Sequence, residues 1–164
     1  MESLMRLIVA TAFTGLTYAA PIYAQAIDIV GTYQLISEER TIVATGEVIP
    51  TKNPTGYITY TREGRMVALI VRGPRPKPDK VENLTDLQRA DLFRTMTAYG
   101  GTYTFDGTTV RHHLDISWNE VWTGTTQVRM VTKEGERLVY TNPPQPFSGD
   151  GKMSIVRLVW EKIK

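Results

Sequence analysis

Two adjacent histidines, His112 and His113, are the side chains in this sequence best suited to acid–base chemistry, and they are its two imidazoles. An imidazole can exchange a proton near neutral pH or orient the polar end of a ligand. Neighbouring strand residues point to opposite faces, so the pair cannot ligate one metal ion together. The absence of cysteine excludes thiol catalysis and cysteine-ligated zinc or iron–sulfur centres. We therefore predict no metal and no cofactor, with haem on a single open-faced histidine as a minor alternative.

The residues around the histidines alternate with the period of a strand. One face carries apolar side chains and the other polar ones: Val110, His112, Leu114, Ile116 and Trp118 against Arg111, His113, Asp115 and Ser117. If the apolar face points inward, His112 is buried and His113 faces solvent, which is the prediction we adopt. In the next apolar run, Val128 and Met130 share one side, with Gln127 and Arg129 on the other. The reverse orientation would gather His113, Asp115 and Arg129 into a polar cavity.

Aromatic residues offer further contacts for a ligand. A buried tyrosine hydroxyl without a hydrogen-bond partner costs about 1–3 kcal/mol, so interior tyrosines are natural orienting groups for a polar ligand atom. The predicted ligand-binding residues are His112, Tyr33, Tyr57, Tyr103, Trp122 and Arg129. The sequence assigns no catalytic residue.

Short β-branched and aromatic runs separated by Gly, Pro, Asn and Asp must position these side chains. We predict about nine strands, at residues 30–39 (with 40–44 as a continuation or a partner), 56–61, 65–72, 101–105, 109–117, 124–132, 137–141 and 152–163. The steps Asp106-Gly107 and Glu134-Gly135 supply the positive-φ glycines that tight hairpins need.

One segment has helical spacing instead. Thr85 and Gln88 form a possible capping box, and the apolar residues Leu84, Leu87, Phe93 and Met96 recur at helical intervals. We predict a helix of about three turns within residues 84–99, whose apolar face packs on the rest of the protein.

Two proline-rich stretches, at residues 72–78 and 142–147, cannot form helix or central strand. The first favours a stiff polyproline path, or alternatively a basic rim near a pocket entrance, with Arg72, Arg75, Lys77 and Lys80. The second is a crossover or a lid.

Eight or more meandering strands in one domain leave exposed sheet edges unless the sheet closes. We therefore predict an all-β fold, an antiparallel up-and-down barrel of about 8 to 10 strands with one inserted helix. A two-sheet sandwich is the rival architecture.

The first 26 residues have the pattern of a secretory signal peptide. Arg6 precedes an apolar stretch at residues 7–20, which is shorter than the roughly 20 residues of a membrane span. Ala24-Gln25-Ala26 then forms a cleavage site. We predict a mature domain of residues 27–164 in the periplasm or outside the cell, with no stable membrane anchor; an uncleaved anchor is the alternative.

The remaining composition narrows the class of function. A net charge of +2, from 19 basic and 17 acidic residues, argues against a nucleic-acid partner. The sequence contains no Gly-x-Ser-x-Gly, no phosphate-binding glycine loop and no His-Glu-x-x-His. Common hydrolases and nucleotide-dependent enzymes are therefore not supported.

Several segments, in order, resemble the microbial lipocalin-like domain family of bacteria and fungi. They are residues 31–37, which open with Gly31-Thr32-Tyr33, residues 56–66, 99–103, 110–113 and 122–124, Leu138–Thr141 with Pro143-Pro144, and 158–161. The resemblance implies a barrel that accommodates a small, largely apolar molecule, and it supplies no catalytic residues. The mid-barrel helix departs from the classical lipocalin plan.

Two main functions remain. The first is an exported barrel that binds a small hydrophobic or amphipathic molecule, with tyrosines and His112 at its polar end. The second is a barrel enzyme of cyclase or isomerase type, with His112 or His113 as acid–base and Arg129 stabilising an anion. A solidly packed structural protein is a third possibility, and the oligomeric state is undetermined.

Overall fold

The structure, a computed structural model, describes residues 26–163. The predicted signal peptide, except Ala26, lies outside the described residues. The strands are β1 (Gly31–Ile42), β2 (Val48–Pro50), β3 (Thr55–Tyr60), β4 (Arg65–Val71), β5 (Met96–Phe105), β6 (Thr109–Ser117), β7 (Thr126–Glu134), β8 (Arg137–Thr141), β9 (Gln145–Pro146) and β10 (Met153–Lys162). One helix, α1 (Asp86–Arg94), lies between β4 and β5.

Strand β1 closes the sheet, because it pairs with β3 on one side and with β10 on the other. The strands β1, β3, β4, β5, β6, β7, β8 and β10 form an antiparallel barrel in that order. The short strand β2 pairs with the later part of β1, and β9 pairs with the first residues of β10. The predicted all-β barrel is confirmed, and closure pairs the edges that a flat sheet would leave open.

Alternate residues of each strand fill the barrel interior, as the period of two requires. Aromatic and branched side chains make up most of this core, among them Tyr33, Leu35, Ile58, Tyr60, Met66, Leu114, Val131, Tyr140 and Trp160. The predicted hairpin turns are present, with φ of 97° at Gly107 and 60° at Gly135. At those angles a Cβ would be strained, which explains the glycines.

The helix prediction is correct in its start and wrong in its end. Thr85 accepts a hydrogen bond from the Gln88 backbone and Gln88 returns one, so the capping box is formed. The helix ends at Arg94, however, and β5 begins at Met96 rather than near residue 101. Residues 96–102 pair with β4, and this ladder outweighs the local helical spacing.

The apolar face of α1 packs less than predicted, and it contacts the barrel end through the Phe93 ring, whose centroid lies 6.2 Å from that of Trp118. None of its side chains is buried, and Leu87 and Phe93 are exposed. No helix among the described residues is long and apolar enough to cross a membrane.

A β-bulge alters the predicted face of β6. Val110, His112 and Leu114 face inward, but Ile116 is 66% exposed. The register slips between Gly100 and Gly101 on β5, so that Gly101 pairs with Leu114 and Gly100 with Ile116. The extra residue on β6 reverses the alternation after Leu114, which corrects the inward placement of Ile116.

On β7 the predicted polar side points inward. Arg129 and Val131 are buried, whereas Met130 is exposed. His112 pairs with Gln127, and Val110 with Arg129, which puts these residues on the same face of the sheet. His112 and Arg129 therefore both face the interior, and neither of the two predicted orientations describes both strands.

Candidate functional site

A cavity of about 150 Å³ opens at one end of the barrel. This end is formed by the last residues of β4 and β6 and the first residues of β5 and β10. Aromatic and aliphatic side chains supply most of its wall: Tyr99, Trp118, Trp122, Phe147, Val156 and Leu158. Trp118 and Trp122 contact each other edge to face, with ring centroids 4.9 Å apart. The arrangement suits a small apolar body.

Arg129 brings a positive charge to this cavity. Its exposed fraction is 9%, and it lines the same space as the two tryptophans. Its one hydrogen bond among the described residues runs from Nη1 to the Val128 carbonyl oxygen, at 2.7 Å. Within residues 26–163 it forms no ion pair with a carboxylate. A guanidinium has five N–H donors, so most of its donor capacity is unused there.

The buried Glu38 and the half-buried Arg72 form an ion pair on the cavity wall. Arg72 donates to both oxygens of Glu38, from Nε at 2.7 Å and from Nη2 at 2.8 Å. A third bond, from Nη1 of Arg72, reaches Thr97 at 2.9 Å. Both carboxylate oxygens of Glu38 are therefore bonded to Arg72, and Glu38 forms no ion pair that would offset the charge of Arg129.

His112 lies behind this cavity, between two tyrosines. Its Nε2 is 2.7 Å from the Tyr60 hydroxyl, and its Nδ1 is 3.3 Å from the Tyr99 hydroxyl. We assign the shorter bond to Tyr60 donating to Nε2, so that Nδ1 carries the proton and donates to Tyr99. With this tautomer the hydroxyl proton of Tyr99 is free to donate elsewhere.

Burial keeps this group of side chains uncharged. Desolvation, reinforced by the charge of Arg129, lowers the pKa of His112 from 6.5 to about 3. Burial raises the pKa of Tyr60 and of Tyr99, and the Arg129 charge partly opposes the change at Tyr99. At neutral pH the three residues therefore form a neutral hydrogen-bonded chain.

The structure separates the predicted ligand-binding residues. Trp122 and Arg129 line the cavity, and His112 reaches it through Tyr99. Tyr33 and Tyr103 lie toward the end of the barrel opposite this cavity, where their hydroxyls donate to the carbonyl oxygens of Asp28 and Thr61. They do not line the cavity.

Tyr57 is a correction, because it lies outside the barrel. It is 45% exposed, while its neighbours Gly56 and Ile58 face inward. On the outer surface it pairs with Leu69 of β4. The strand period alone excludes it from the interior.

The polar cavity of His113, Asp115 and Arg129 is also absent. His113 lies on the outer face, where its Nδ1 is 3.0 Å from the Thr126 hydroxyl. Asp115 forms an exposed ion pair with Arg65. Arg129 alone of the three points inward.

Sequence reasoning missed Glu38, Tyr99, Trp118 and Phe147 as members of the site. Tyr99 was assigned to the end of the helix. Glu38 faces inward because the register of β1 shifts between Leu35 and Ser37. Because Glu39 and Arg40 follow it directly, the local sequence does not distinguish Glu38 from the other charges of the same strand.

The proline-rich segments lie near the same end of the barrel. From the first, Arg75 donates to the Leu92 carbonyl oxygen and to the Thr95 hydroxyl at the end of α1, so that it fastens the helix. The second continues into Phe147, whose ring lies 4.1 Å from the Arg40 guanidinium carbon. Arg40 also binds Asp150 through two nitrogens. This loop is therefore held over the cavity wall.

Metal-ligating groups do not converge in the described part of the chain: no set of three His, Asp or Glu side chains there could hold an ion.

The fold and cavity describe a closed β-barrel with a small internal binding space. The chain belongs to the lipocalin-like domain family, whose family model matches residues 30–163. This confirms the family resemblance found in the sequence. No curated protein matches the chain. Among solved structures, it is similar to an uncharacterized protein from Bacteroides eggerthii, with 13% identity and a TM-score of 0.41, over 83% of this chain and 100% of that chain.

Proposed function

We propose that this protein binds a small hydrophobic or amphipathic molecule in the open end of its barrel, after export to the periplasm or the cell exterior. The observation that carries the proposal is the cavity of about 150 Å³ between Trp118, Trp122 and Leu158. An apolar cavity of roughly this volume holds one benzene-sized molecule. The family supports a ligand-binding barrel in general.

We prefer ligand binding to acid–base catalysis as the function because both ring nitrogens of His112 are already hydrogen-bonded inside the protein. Both ring nitrogens are bonded to tyrosines, and its pKa near 3 makes the imidazole a weak base. A general base works best with a pKa near the operating pH and direct reach of the substrate. His112 is 1% exposed and positions Tyr99 rather than lining the cavity itself.

The binding test uses the two tryptophans of the cavity as reporters. Indole fluorescence would be titrated with small aromatic and aliphatic molecules, and we expect saturable quenching with one site per chain. Val156→Phe fills the cavity wall and should abolish the quenching. The matched control, Val67→Phe, adds the same side chain on the exposed outer face and should bind as the parent does. Linear, unsaturable quenching across the whole panel would favour a solidly packed structural protein.

Export has its own test. The intact mass of the protein recovered outside the cytoplasm should correspond to a first residue of Ile27. A product that keeps residues 1–26 would contradict export through a cleaved signal peptide.

A further inference from the structure

Arg129 is the strongest unexplained feature of the interior. A buried cation is costly unless a counter-charge and hydrogen bonds compensate it. Here the described residues supply one carbonyl oxygen, and the buried carboxylate on the cavity wall, Glu38, is held at both oxygens by Arg72. Arg129 has no other hydrogen-bond partner within residues 26–163, and it lines the cavity.

We propose that Arg129 is a carboxylate anchor, and that the cavity takes a small apolar monocarboxylic acid with its carboxylate on Arg129 and its apolar body against Trp118 and Trp122. The inference rests on the proposed function and specifies its ligand class. A guanidinium matches a carboxylate in planar, bidentate geometry. Tyr99 also lines the cavity, and its free hydroxyl proton can donate to the same group.

The charge balance favours a monoanion. Arg72 and Glu38 cancel, which leaves one uncompensated buried positive charge. A dianionic phosphate would bring a second negative charge close to Glu38, which lines the same cavity. The volume of about 150 Å³ limits the enclosed part of the acid to the size of one ring or a short branched chain.

Two pairs of probes, each an acid and a neutral counterpart, measure how much the carboxylate contributes to binding. Benzoate and phenylacetate would be compared by tryptophan fluorescence and calorimetry with benzamide and 2-phenylethanol, their neutral counterparts. We expect each acid to bind at least about tenfold more tightly than its neutral partner, since hydrogen bonds to charged groups contribute strongly. This comparison on the unmodified protein needs no variant to fold.

The variants then assign the effect to Arg129. In Arg129→Met the affinity for benzoate should fall at least about tenfold, while that for benzamide is unchanged. Arg111→Met is the matched control, because Arg111 lies on the outer face of β6 and does not line the cavity, and it should change benzoate affinity less than about threefold. The free Arg129→Met protein should melt at the same or a higher temperature than the parent, because an unpaired buried charge is removed.

The outcomes separate the two proposals. Equal binding of acids and neutral probes, or an Arg129→Met variant that binds benzoate like the parent, overturns the carboxylate anchor and leaves the binding cavity intact. Binding of other apolar probes without either acid has the same meaning. A clear fall in melting temperature for free Arg129→Met also overturns it, by showing that Arg129 serves the core. Only the failure of every probe to bind saturably removes the binding function as well.

Discussion

At the scale of single residues, the interior depends on a histidine that is both buried and neutral. His112 accepts from Tyr60 and donates to Tyr99, so its two nitrogens are satisfied in one tautomer. A protonated imidazole has no acceptor, so it would lose the bond from Tyr60 while also meeting the charge of Arg129. The arrangement therefore tolerates the neutral form and opposes the charged one.

The free energy of unfolding should therefore depend on pH in the range where His112 titrates in the unfolded chain. The unfolded chain takes up a proton on His112 near pH 6.5, whereas the folded chain does so only near pH 3. Between these values the unfolded state binds more protons, so the free energy of unfolding falls as the pH is lowered. The loss approaches about 1.4 kcal/mol per pH unit at most. Above pH 6.5 the contribution of His112 fades over about one pH unit, as the imidazole of the unfolded chain also loses its proton. Urea unfolding at intervals from pH 7.5 to 5 would measure the slope.

His112→Gln is the control for that slope, because the amide does not titrate. Its unfolding free energy should be nearly flat between pH 7 and 5. The exposed acids with lowered pKa, Glu63, Asp106 and Asp150, have ordinary values of 4.5 or below and so act in a more acidic range. A slope that persists unchanged in His112→Gln would show that other groups cause it.

The two adjacent histidines should also differ in their alanine variants. His112→Ala removes a partner from both Tyr60 and Tyr99 and leaves a small cavity, so it should cost more than about 1 kcal/mol. His113→Ala lies on the outer face and should change stability by less than about 0.5 kcal/mol. Chemical denaturation of both variants at pH 7.5 makes the comparison, and equal, small effects would contradict the buried role of His112.

At the scale of elements, the bulge between β5 and β6 determines which side chains reach the site. An ideal Cβ on Gly101 would lie 1.9 Å from the backbone oxygen of His113, whereas one on Gly100 would meet neighbours at 3.4 Å and beyond. The first is a collision with backbone and the second an ordinary contact. Gly101 is thus required by the close approach of two strands.

Gly101→Ala should therefore destabilise the protein by about 2–4 kcal/mol, because the two strands must separate or shift register. Gly100→Ala should change stability by less than about 1 kcal/mol, and a gain is possible since alanine restricts the unfolded chain. Urea denaturation of the pair provides the measurement. Similar losses in both variants would show that the bulge is not the constraint.

The helix α1 behaves differently, because it has no buried side chain to couple it to the core. Thr85→Ala removes the N-cap and should cost the helix about 1 kcal/mol. We expect faster amide exchange confined to Asp86–Arg94 and almost no change in the global melting temperature. Thr85→Ser keeps the hydroxyl and should exchange like the parent. A global loss of stability would mean that α1 is part of the cooperative core.

Some features of these elements could be predicted from the sequence, and others could not. The strands, the capping box and the inward His112 follow from local period and turn chemistry, which act over a few residues. The inward Arg129 does not, because period alone cannot give the phase of one strand relative to the next. That phase comes from the pairing of Val110 with Arg129. Bulges change the phase without a clear local signal, which is why Ile116 and Glu38 were misplaced or overlooked.

At the scale of the whole molecule, the two ends of the barrel are built differently. The cavity lies at one end, and the chain just before β1 packs across the other end, where Ile27, Asp28 and Tyr33 also line a second, more open pocket. Ile29 is buried, Ile27 packs against the core, and the Asp28 carbonyl oxygen accepts from the Tyr33 hydroxyl.

The position of the predicted cleavage site should therefore affect the stability of the mature domain. A chain that starts at Ile27 retains residues 27–30, whereas a chain that starts at Gly31 loses Ile27, Ile29 and the carbonyl oxygen that accepts from the Tyr33 hydroxyl. Burying one such side chain stabilises by about 1.5–3 kcal/mol, so we expect the shorter chain to lose about 3 kcal/mol or more. Thermal and urea unfolding of the two chains would measure the difference. If they are equally stable, residues 27–30 do not close the barrel, and processing a few residues beyond Ala26 would leave the fold unaffected.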